Sequence, residues 1–341
     1  MNGQKIKVLM ILPPNTKTTG GNWVTAQRVA NGVEKKLVKV STIEASQVNS
    51  LLLKQFDLVH CFHAYKSAFS LKQLLQEANT PWVISFTGTD VAMLMQDEGG
   101  AGFKRFLQQA NSLIVFHQEA QQILIDQGLP LNKIQVIPQQ AALNFKEIKL
   151  QPALLRSKWH IKREEILFIF AGGIRPVKGP LEAVDLLTEV RKHNSKIRLI
   201  MAGPVLDDSM AQQLKQKLSQ LPWAQYVGEI PYAQMPELLA AADVVINTSL
   251  TEGMPNTILE AMSLGIPALA RDIAGNRAIV VNGENGFLFK TNEEFINLAN
   301  VLAEQKETRL RLGTEAKIQA SQKSIDSEIN TYFEVYQKAL K

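Results

Sequence analysis

The stretch "DVVINTSLTEGMPNTILEAMSLGIPALARD", residues 243–272, reads as one complete strand–loop–helix–strand unit. Its opening run Val244-Val245-Ile246 is apolar without alternation, as in a strand covered on both faces. The chain then turns through Leu250, Thr251, Glu252 and Gly253. Pro255 or Asn256 starts a helix that Gly265 ends, with Pro267 beyond. "IPALAR" (266–271) is the following strand. Glu252 therefore lies in the loop at a strand's carboxyl end. Glu260 lies about one turn into the helix, on a flank otherwise made by Ile258, Leu259, Ala261 and Met262. A carboxylate there must be paired or must face a polar ligand, for which sugar or ribose hydroxyls are natural partners. The backbone N–H groups at 255–257 point the same way as Glu252 and suit an anion. The plainer alternative is two solvated glutamates.

Working outward, the same unit recurs. "KVLMIL" (7–12), "LVKVSTI" (37–43), "DLVHCF" (57–62), "WVISF" (82–86), "SLIVF" (112–116) and "IQVIP" (134–138) read as strands, with helical patterns such as "WVTAQRVANGVEKK" between them. "LQPALLRSKWHIKREE" (150–165) has few strand signals and reads as a link. The pattern then restarts with "ILFIFAGG" (166–173), "IRLIMAG" (197–203), "DVVINTS" (243–249) and "IPALAR". "PLEAVDLLTEVRKHN", "SMAQQLKQKLSQL" and "MPELLAAA" are the intervening helices. Alternating strands and helices imply parallel sheets covered on both faces. The expectation is an α/β protein of two doubly wound, Rossmann-like domains facing across a cleft, 1–155 and 156–324. A helix at about 325–341 would pack back on the first. A chain of 341 residues fits two domains of roughly 150 each.

Composition narrows the function. Apolar residues make up 45% and charged residues 20%, which is globular. No run approaches the ~18 apolar residues of a spanning helix, and the N-terminus reads as a first strand rather than a signal peptide. Cys61 is the only cysteine, so an intrachain disulfide is impossible and a reducing, cytoplasmic setting is expected. The five histidines lack metal-ligand spacing and no D-x-D pair is present, so no metal is expected. Residues 1–150 hold 15 Lys/Arg against 10 Asp/Glu, whereas the remainder balances 22 against 22. That excess fits either a solvated face or an anionic partner, whether substrate or membrane surface. The basic residues are not interleaved with aromatics, which argues against nucleic acid.

Other loops carry candidate chemistry. In "FAGGIRPVKGP" a strand ends at Ala171, glycines 172 and 173 follow, and Gly179-Pro180 opens a helix. Arg175 and Lys178 at a strand's carboxyl end suit a diphosphate, the first as a planar fork and the second as a point charge. The spacing is not that of a P-loop. Gly20-Gly21 follows strand one, but G-x-G-x-x-G is absent. Glu44 near the end of strand two keeps an oxidoreductase reading open, because a dehydrogenase would hold its ribose there. "CFHAYKSA" (His63, Lys66), "FTGTDVA" (Thr87, Gly88, Thr89, Asp90) and "VFHQEA" (His117, Glu119) face the same edge. A lone histidine in such a loop is more often structural than catalytic.

Three features together resemble the retaining glycosyltransferases of family 4, which have the GT-B fold. These are Glu252 and Glu260 in "EGMPNTILEAMSLGIP", the turn "GGIRPVKG", and "NGENGFLF", which is similar to that family's G-x-x-G-x-L turn. The resemblance covers the whole second domain. In the first, "GGNWVTAQRVA", "FHAYKSA" and "TGTD" look like two subgroups, the selenosugar synthases and the glycosyltransferase 1 domain-containing proteins of animals. "PVKGPLEAVDLL" and "ILEAMSLGIPALARDIAGN" look closer to the latter.

The resemblance implies roles. Arg175 and Lys178 would neutralise the departing diphosphate, and Glu252 would hold the donor sugar. Glu260 would hold the nucleotide ribose, and the amides of Met254, Pro255, Asn256 and Thr257 with Gly253 would touch sugar and phosphate. Backbone near Glu229 and Ile230 would line the base. Gly173, with Gly20 and Gly21, would approach the diphosphate. Asn22, His63, Lys66, Thr87 and Asp90 would lie toward the acceptor. Many family members have a histidine where this chain has Thr87, so a histidine contact to the donor sugar is not implied. The implied function is a metal-independent, cofactor-free retaining glycosyltransferase using a UDP-linked sugar, cytoplasmic or peripheral at the inner membrane face. Lys17, Arg28 and Lys66 would favour a small anionic acceptor or a membrane surface. The alternatives are a sugar-nucleotide binding protein without turnover and a GT-B epimerase.

Overall fold

A computed structural model describes residues 5–96, 99–141, 150–322 and 324–341. The chain forms two compact units. One comprises residues 1–140, 252–254 and 324–341, and the other comprises 141–251 and 255–323. Each is built on a six-stranded sheet whose registered pairs are all parallel.

The first sheet contains β1 (Ile6–Leu12), β2 (Val38–Glu44), β3 (Leu58–Phe62), β4 (Trp82–Ser85), β5 (Ser112–Val115) and β6 (Ile134–Val136), in the order β2-β1-β3-β4-β5-β6. Side chains alternate between faces along each strand. Leu9 and Ile11 enter one apolar cluster with Val59, Cys61 and Ile84, whereas Val8, Met10 and Leu12 enter another with Phe62 and Val83. Burial on both faces explains the near-continuous apolar runs.

The C-terminal helix Ile325–Ala339 completes the second of these clusters. It inserts Ile329, Tyr332, Val335, Tyr336 and Ala339 against the helix Gly21–Val33 and the sheet. Polar contacts at Glu328 and Tyr336 fix its register. Arg28 donates from Nε and Nη2 to Glu328 Oε1 at 3.2 and 3.0 Å, and Gln140 N donates to Glu328 Oε2 at 3.2 Å. The Tyr336 hydroxyl meets His60 Nδ1 at 2.7 Å. Burial raises the pKa values of Glu328 and both tyrosines, opposed at Glu328 by Arg28. Arg28 is consequently buried and is no acceptor contact, which corrects its place beside Lys17 and Lys66.

The second sheet contains β7 (Ile166–Ala171), β8 (Ile197–Ala202), β9 (Ala224–Tyr226), β10 (Val244–Asn247), β11 (Ala268–Arg271) and β12 (Gly286–Phe289), in the order β12-β11-β10-β7-β8-β9. Phe168 and Phe170 face one cluster, Leu167 and Ile169 the other. The sequence missed β9 and β12, the two edge strands. Each has only three or four residues; Gln225 interrupts β9, and β12 lies inside the stretch "NGENGFLF" that was read as a turn. The segment read as a link contains the helix Pro152–Lys158.

The connectivity picks out one place in each sheet. Strand order reverses between β1 and β3 in the first sheet and between β7 and β10 in the second. At such a switch point neighbouring crossovers leave to opposite faces, and the crevice beyond the strands' carboxyl ends stays open to a ligand.

Candidate active site

In the second unit the switch point carries the loops after β7 and β10. The loop after β7 runs through Gly172 and Gly173 into a short 3-10 turn, Pro176–Lys178, with Arg175 at its start and Lys178 at its end. Gly179 has φ +65° and opens the helix Pro180–His193. A Cβ there would lie 2.8 Å from the Thr248 carbonyl oxygen, so the turn and the β10 loop can meet only through glycine. Thr248 Oγ1 hydrogen-bonds to the carbonyl oxygens of Lys178 and Gly179 at 3.0 and 2.9 Å, and Leu250 N donates to Val177 O at 2.9 Å. Arg175 and Lys178 thus stand on a turn stitched to the neighbouring loop.

That neighbouring loop has its own brace. Arg271 donates from Nε to Thr248 O at 3.2 Å and from Nη2 to Glu182, with its guanidinium 5.0 Å from the centre of the Phe289 ring. Asn276, fully buried, donates from Nδ2 to Arg271 O at 2.8 Å. Sequence reasoning missed Thr248, Arg271 and Asn276. The available signal was a cation at the end of an apolar strand, in "ALARD".

The loops after β8 and β9 close the arrangement. Gly203 has φ +146°, and a Cβ there would sit 2.0 Å from the Gly172 carbonyl oxygen. Gly203 N donates to Gly228 O at 2.9 Å, and the Tyr226 hydroxyl donates to Gly203 O at 2.6 Å. Burial, then the Glu229 carboxylate, raises the Tyr226 pKa, so the phenol stays protonated as a donor. Glu229 itself is exposed, and Ile230 packs against the apolar cluster beneath.

The helix Asn256–Leu264 ends at Gly265, φ +79°. Its cap position is Pro255, so Asn256 is the first helical residue and not the cap. Pro255 has no N–H, which corrects the expectation that residue 255 offers one. The helix's own bonds begin with Ile258 N to Pro255 O, and the amides of Asn256 and Thr257 precede them. Thr257 Oγ1 donates to Ala171 O at 3.1 Å, tying the helix to the end of β7. Glu260 is 2% exposed, and the Tyr232 hydroxyl donates to its Oε1 at 2.7 Å. Glu252, Gly253 and Met254 group with the first unit. The second sheet's carboxyl edge therefore gathers Gly173, Arg175, Lys178, Glu229, Ile230, Asn256, Thr257 and Glu260.

In the first unit, Gly20 caps the helix Gly21–Val33, which begins with Gly21 and Asn22. Glu44 accepts from the amides of Asn15 and Thr16 at 2.9 and 3.1 Å. Its carboxylate organises the loop after β1, which removes the basis for a dehydrogenase reading. Asp90 is fully buried. It accepts from Ala64 N at 2.7 Å, Thr87 N at 2.8 Å and Gly88 N at 2.9 Å. The acceptor-side expectation for Asp90 is corrected on that ground. Its two oxygens hold two loops together. His63 sits at φ +83°, takes the Lys66 amide on Nδ1 at 3.2 Å and meets Thr89 Oγ1 through Nε2 at 3.1 Å. His117 takes the Ala120 amide on Nδ1 at 3.1 Å. Both rings act as loop or helix caps. The Lys66 side chain is exposed and Thr87 half-buried at the same edge. Among the described residues no group of three or more His, Cys, Asp or Glu is placed to hold a metal, and no helix is long and apolar enough to cross a membrane.

Comparison with known proteins agrees with this geometry. Residues 153–319 match the family described as Glycosyl transferases group 1. Glycosyltransferase 1 domain-containing protein 1 of Xenopus tropicalis is 28% identical over 87% of this chain and 88% of its own length. The UDP-Gal:alpha-D-GlcNAc-diphosphoundecaprenol alpha-1,3-galactosyltransferase of Escherichia coli is 32% identical over 54% of this chain. The match spans 49% of that relative. Among solved structures, Anabaena Alr3699/HepE in complex with UDP and glucose superposes with a TM-score of 0.80 at 20% identity. It covers 96% of this chain and 98% of that one. The fold is therefore of the GT-B type.

Proposed function

We propose that this chain, whose residues 153–319 match the glycosyl transferases group 1 family, is a glycosyltransferase that runs a retaining reaction from a UDP-linked sugar to a small anionic acceptor. The observation that carries the donor half is the carboxyl edge of the second sheet. It presents a buried carboxylate for a ribose, helix-terminal amides for a phosphate and two cations on a braced turn.

Each part has a chemical task. The leaving diphosphate gains negative charge as the glycosidic bond breaks. Arg175, Lys178 and the Asn256 and Thr257 amides are the donors for that charge, and fixed donors of this kind commonly supply the largest part of catalysis. They take the role a divalent ion fills elsewhere, so turnover is expected to survive chelators. Glu252 is assigned to the donor sugar's hydroxyls. With no carboxylate assigned as nucleophile, the two-carboxylate scheme of hydrolases does not transfer. Attack from the leaving-group face would give retention. The family relation and the neighbour solved with UDP and glucose support a UDP-linked donor.

The acceptor is proposed from charge. The first 150 residues carry a net +5, and Lys66 is exposed at the edge where Thr87 also lies. The direct test is a panel of nucleotide sugars, scored first by thermal stabilisation and then by nucleotide release with and without phosphorylated acceptors. Release that depends on an acceptor supports transfer. Tight binding without release would establish a binding protein, and acceptor-independent conversion of the donor would establish an epimerase. Neutralising Lys17 and Lys66 should weaken acceptor affinity. Loss of vesicle binding with unchanged acceptor affinity would move the assignment to a membrane surface.

A further inference from the structure

Glu260 is a carboxylate 2% exposed, on a helix whose neighbours Ile258, Leu259, Ala261 and Met262 are also buried. A side chain with three rotatable bonds gains a fixed direction there only from a partner. The Tyr232 hydroxyl provides one, at 2.7 Å from Oε1, the short range of hydrogen bonds to ionised acceptors. Tyr232 is itself held. It opens the turn Tyr232–Gln234 directly after Pro231, whose ring fixes the backbone. Upstream, Gly228 is bonded to Gly203 and Ile230 is packed on the apolar cluster.

We propose that Tyr232 is a positioning residue for nucleotide recognition: its hydroxyl fixes the Glu260 carboxylate in the plane that receives the ribose diol of a nucleoside diphosphate. This rests on the reading of Glu260 as the ribose ligand. A carboxylate that turns about its last bond meets two vicinal hydroxyls in only part of its range, whereas one anchored through Oε1 is set for them. Tyr232 thereby contributes to discrimination between ribose and deoxyribose without touching either.

The experiment is calorimetric titration of the full chain with UDP and with 2′,3′-dideoxy-UDP. It uses the wild type, Tyr232→Phe, Glu260→Ala and the double variant, each with its melting temperature and, for the active forms, kcat and KM for the donor. Tyr232→Phe removes one oxygen and keeps the ring. It is expected to weaken UDP binding about 10-fold, consistent with loss of one hydrogen bond to a charged group. It should weaken dideoxy-UDP less than about 2-fold, raise KM and leave kcat within about 2-fold. In the Glu260→Ala background the same change should cost less than about 2-fold, since the partner is already gone. Equal losses for the two nucleotides, or undiminished UDP affinity, overturn the proposal. A wild type that binds UDP and dideoxy-UDP equally overturns the ribose reading of Glu260 and this inference with it, which separates the two failures. Should Tyr232→Phe not fold, Tyr232→Leu, which also lacks the hydroxyl, is expected to lose ribose discrimination. Full discrimination in a folded Tyr232→Leu protein counts against the role.

Discussion

Acidification is expected to unfold the first unit through one histidine. His60 lies on β3 and is fully buried. Its Nδ1 meets the Tyr336 hydroxyl at 2.7 Å and its Nε2 meets the Ser85 hydroxyl at 2.8 Å. Burial lowers its pKa from 6.5 to about 3. In the unfolded chain the ring takes a proton near its ordinary value, whereas the folded chain resists protonation until about pH 3. The stability this group contributes is therefore intact above its unfolded pKa and is lost as pH falls from there toward the folded value. Each pH unit in that window costs about 1.4 kcal/mol. Between pH 7 and pH 5 the integrated loss is about 2 kcal/mol. The assay is urea unfolding at both pH values, followed by hydrogen exchange in β3, for wild type and His60→Gln. The substitution carries its own cost, but the difference between the two pH values cancels it. Wild type should lose about 2 kcal/mol more than the variant on acidification. Equal losses would refute the reasoning, because they would show that His60 titrates alike in both states.

Other outcomes follow from the same contacts. Glu328→Ala strips a buried Arg28 of its partner and should cost about 3–5 kcal/mol in denaturant unfolding, whereas Arg28→Met with Glu328→Leu should be near neutral. Gly203→Ala forces a Cβ toward the Gly172 carbonyl at φ +146° and should destabilise the second unit by on the order of 1–3 kcal/mol from backbone strain alone, read by its melting temperature. Arg271→Ala removes the bond to Thr248 O and should lower donor turnover roughly 10-fold, since it frees the loop that braces the Arg175 turn. Unchanged kcat/KM in a folded Arg271→Ala protein would remove Arg271 from the positioning network.

What was readable in the sequence follows the physics of each signal. Ten strands announced themselves because a sheet buried on both faces demands continuous apolar runs. β9 and β12 lie at the edges of the second sheet and went unread, whereas the edge strands β2 and β6 of the first sheet were found. The helix Asn256–Leu264 was legible from its flanking Pro255 and Gly265. Polar residues committed to tertiary hydrogen bonds were the least legible. Glu44, Asp90 and Arg28 sit in loop-like or amphipathic contexts that suggest exposure, yet each is committed to partners distant in sequence. Arg28 reaches Glu328, at the far end of the chain. Tyr232 was not singled out, because nothing local links it to Glu260. Pairings made by tertiary approach leave no periodic trace.

The central claim is that the second unit's edge stabilises a departing nucleoside diphosphate. Its most direct measurement is single-turnover release of UDP from a limiting UDP-sugar by wild type, Arg175→Ala and Lys178→Ala, with enzyme in saturating excess and acceptor saturating. Each substitution should slow the chemical step by about 10²–10³-fold, with the fold intact by melting. Near-normal release rates from either folded variant would contradict the assignment of that cation to the leaving group.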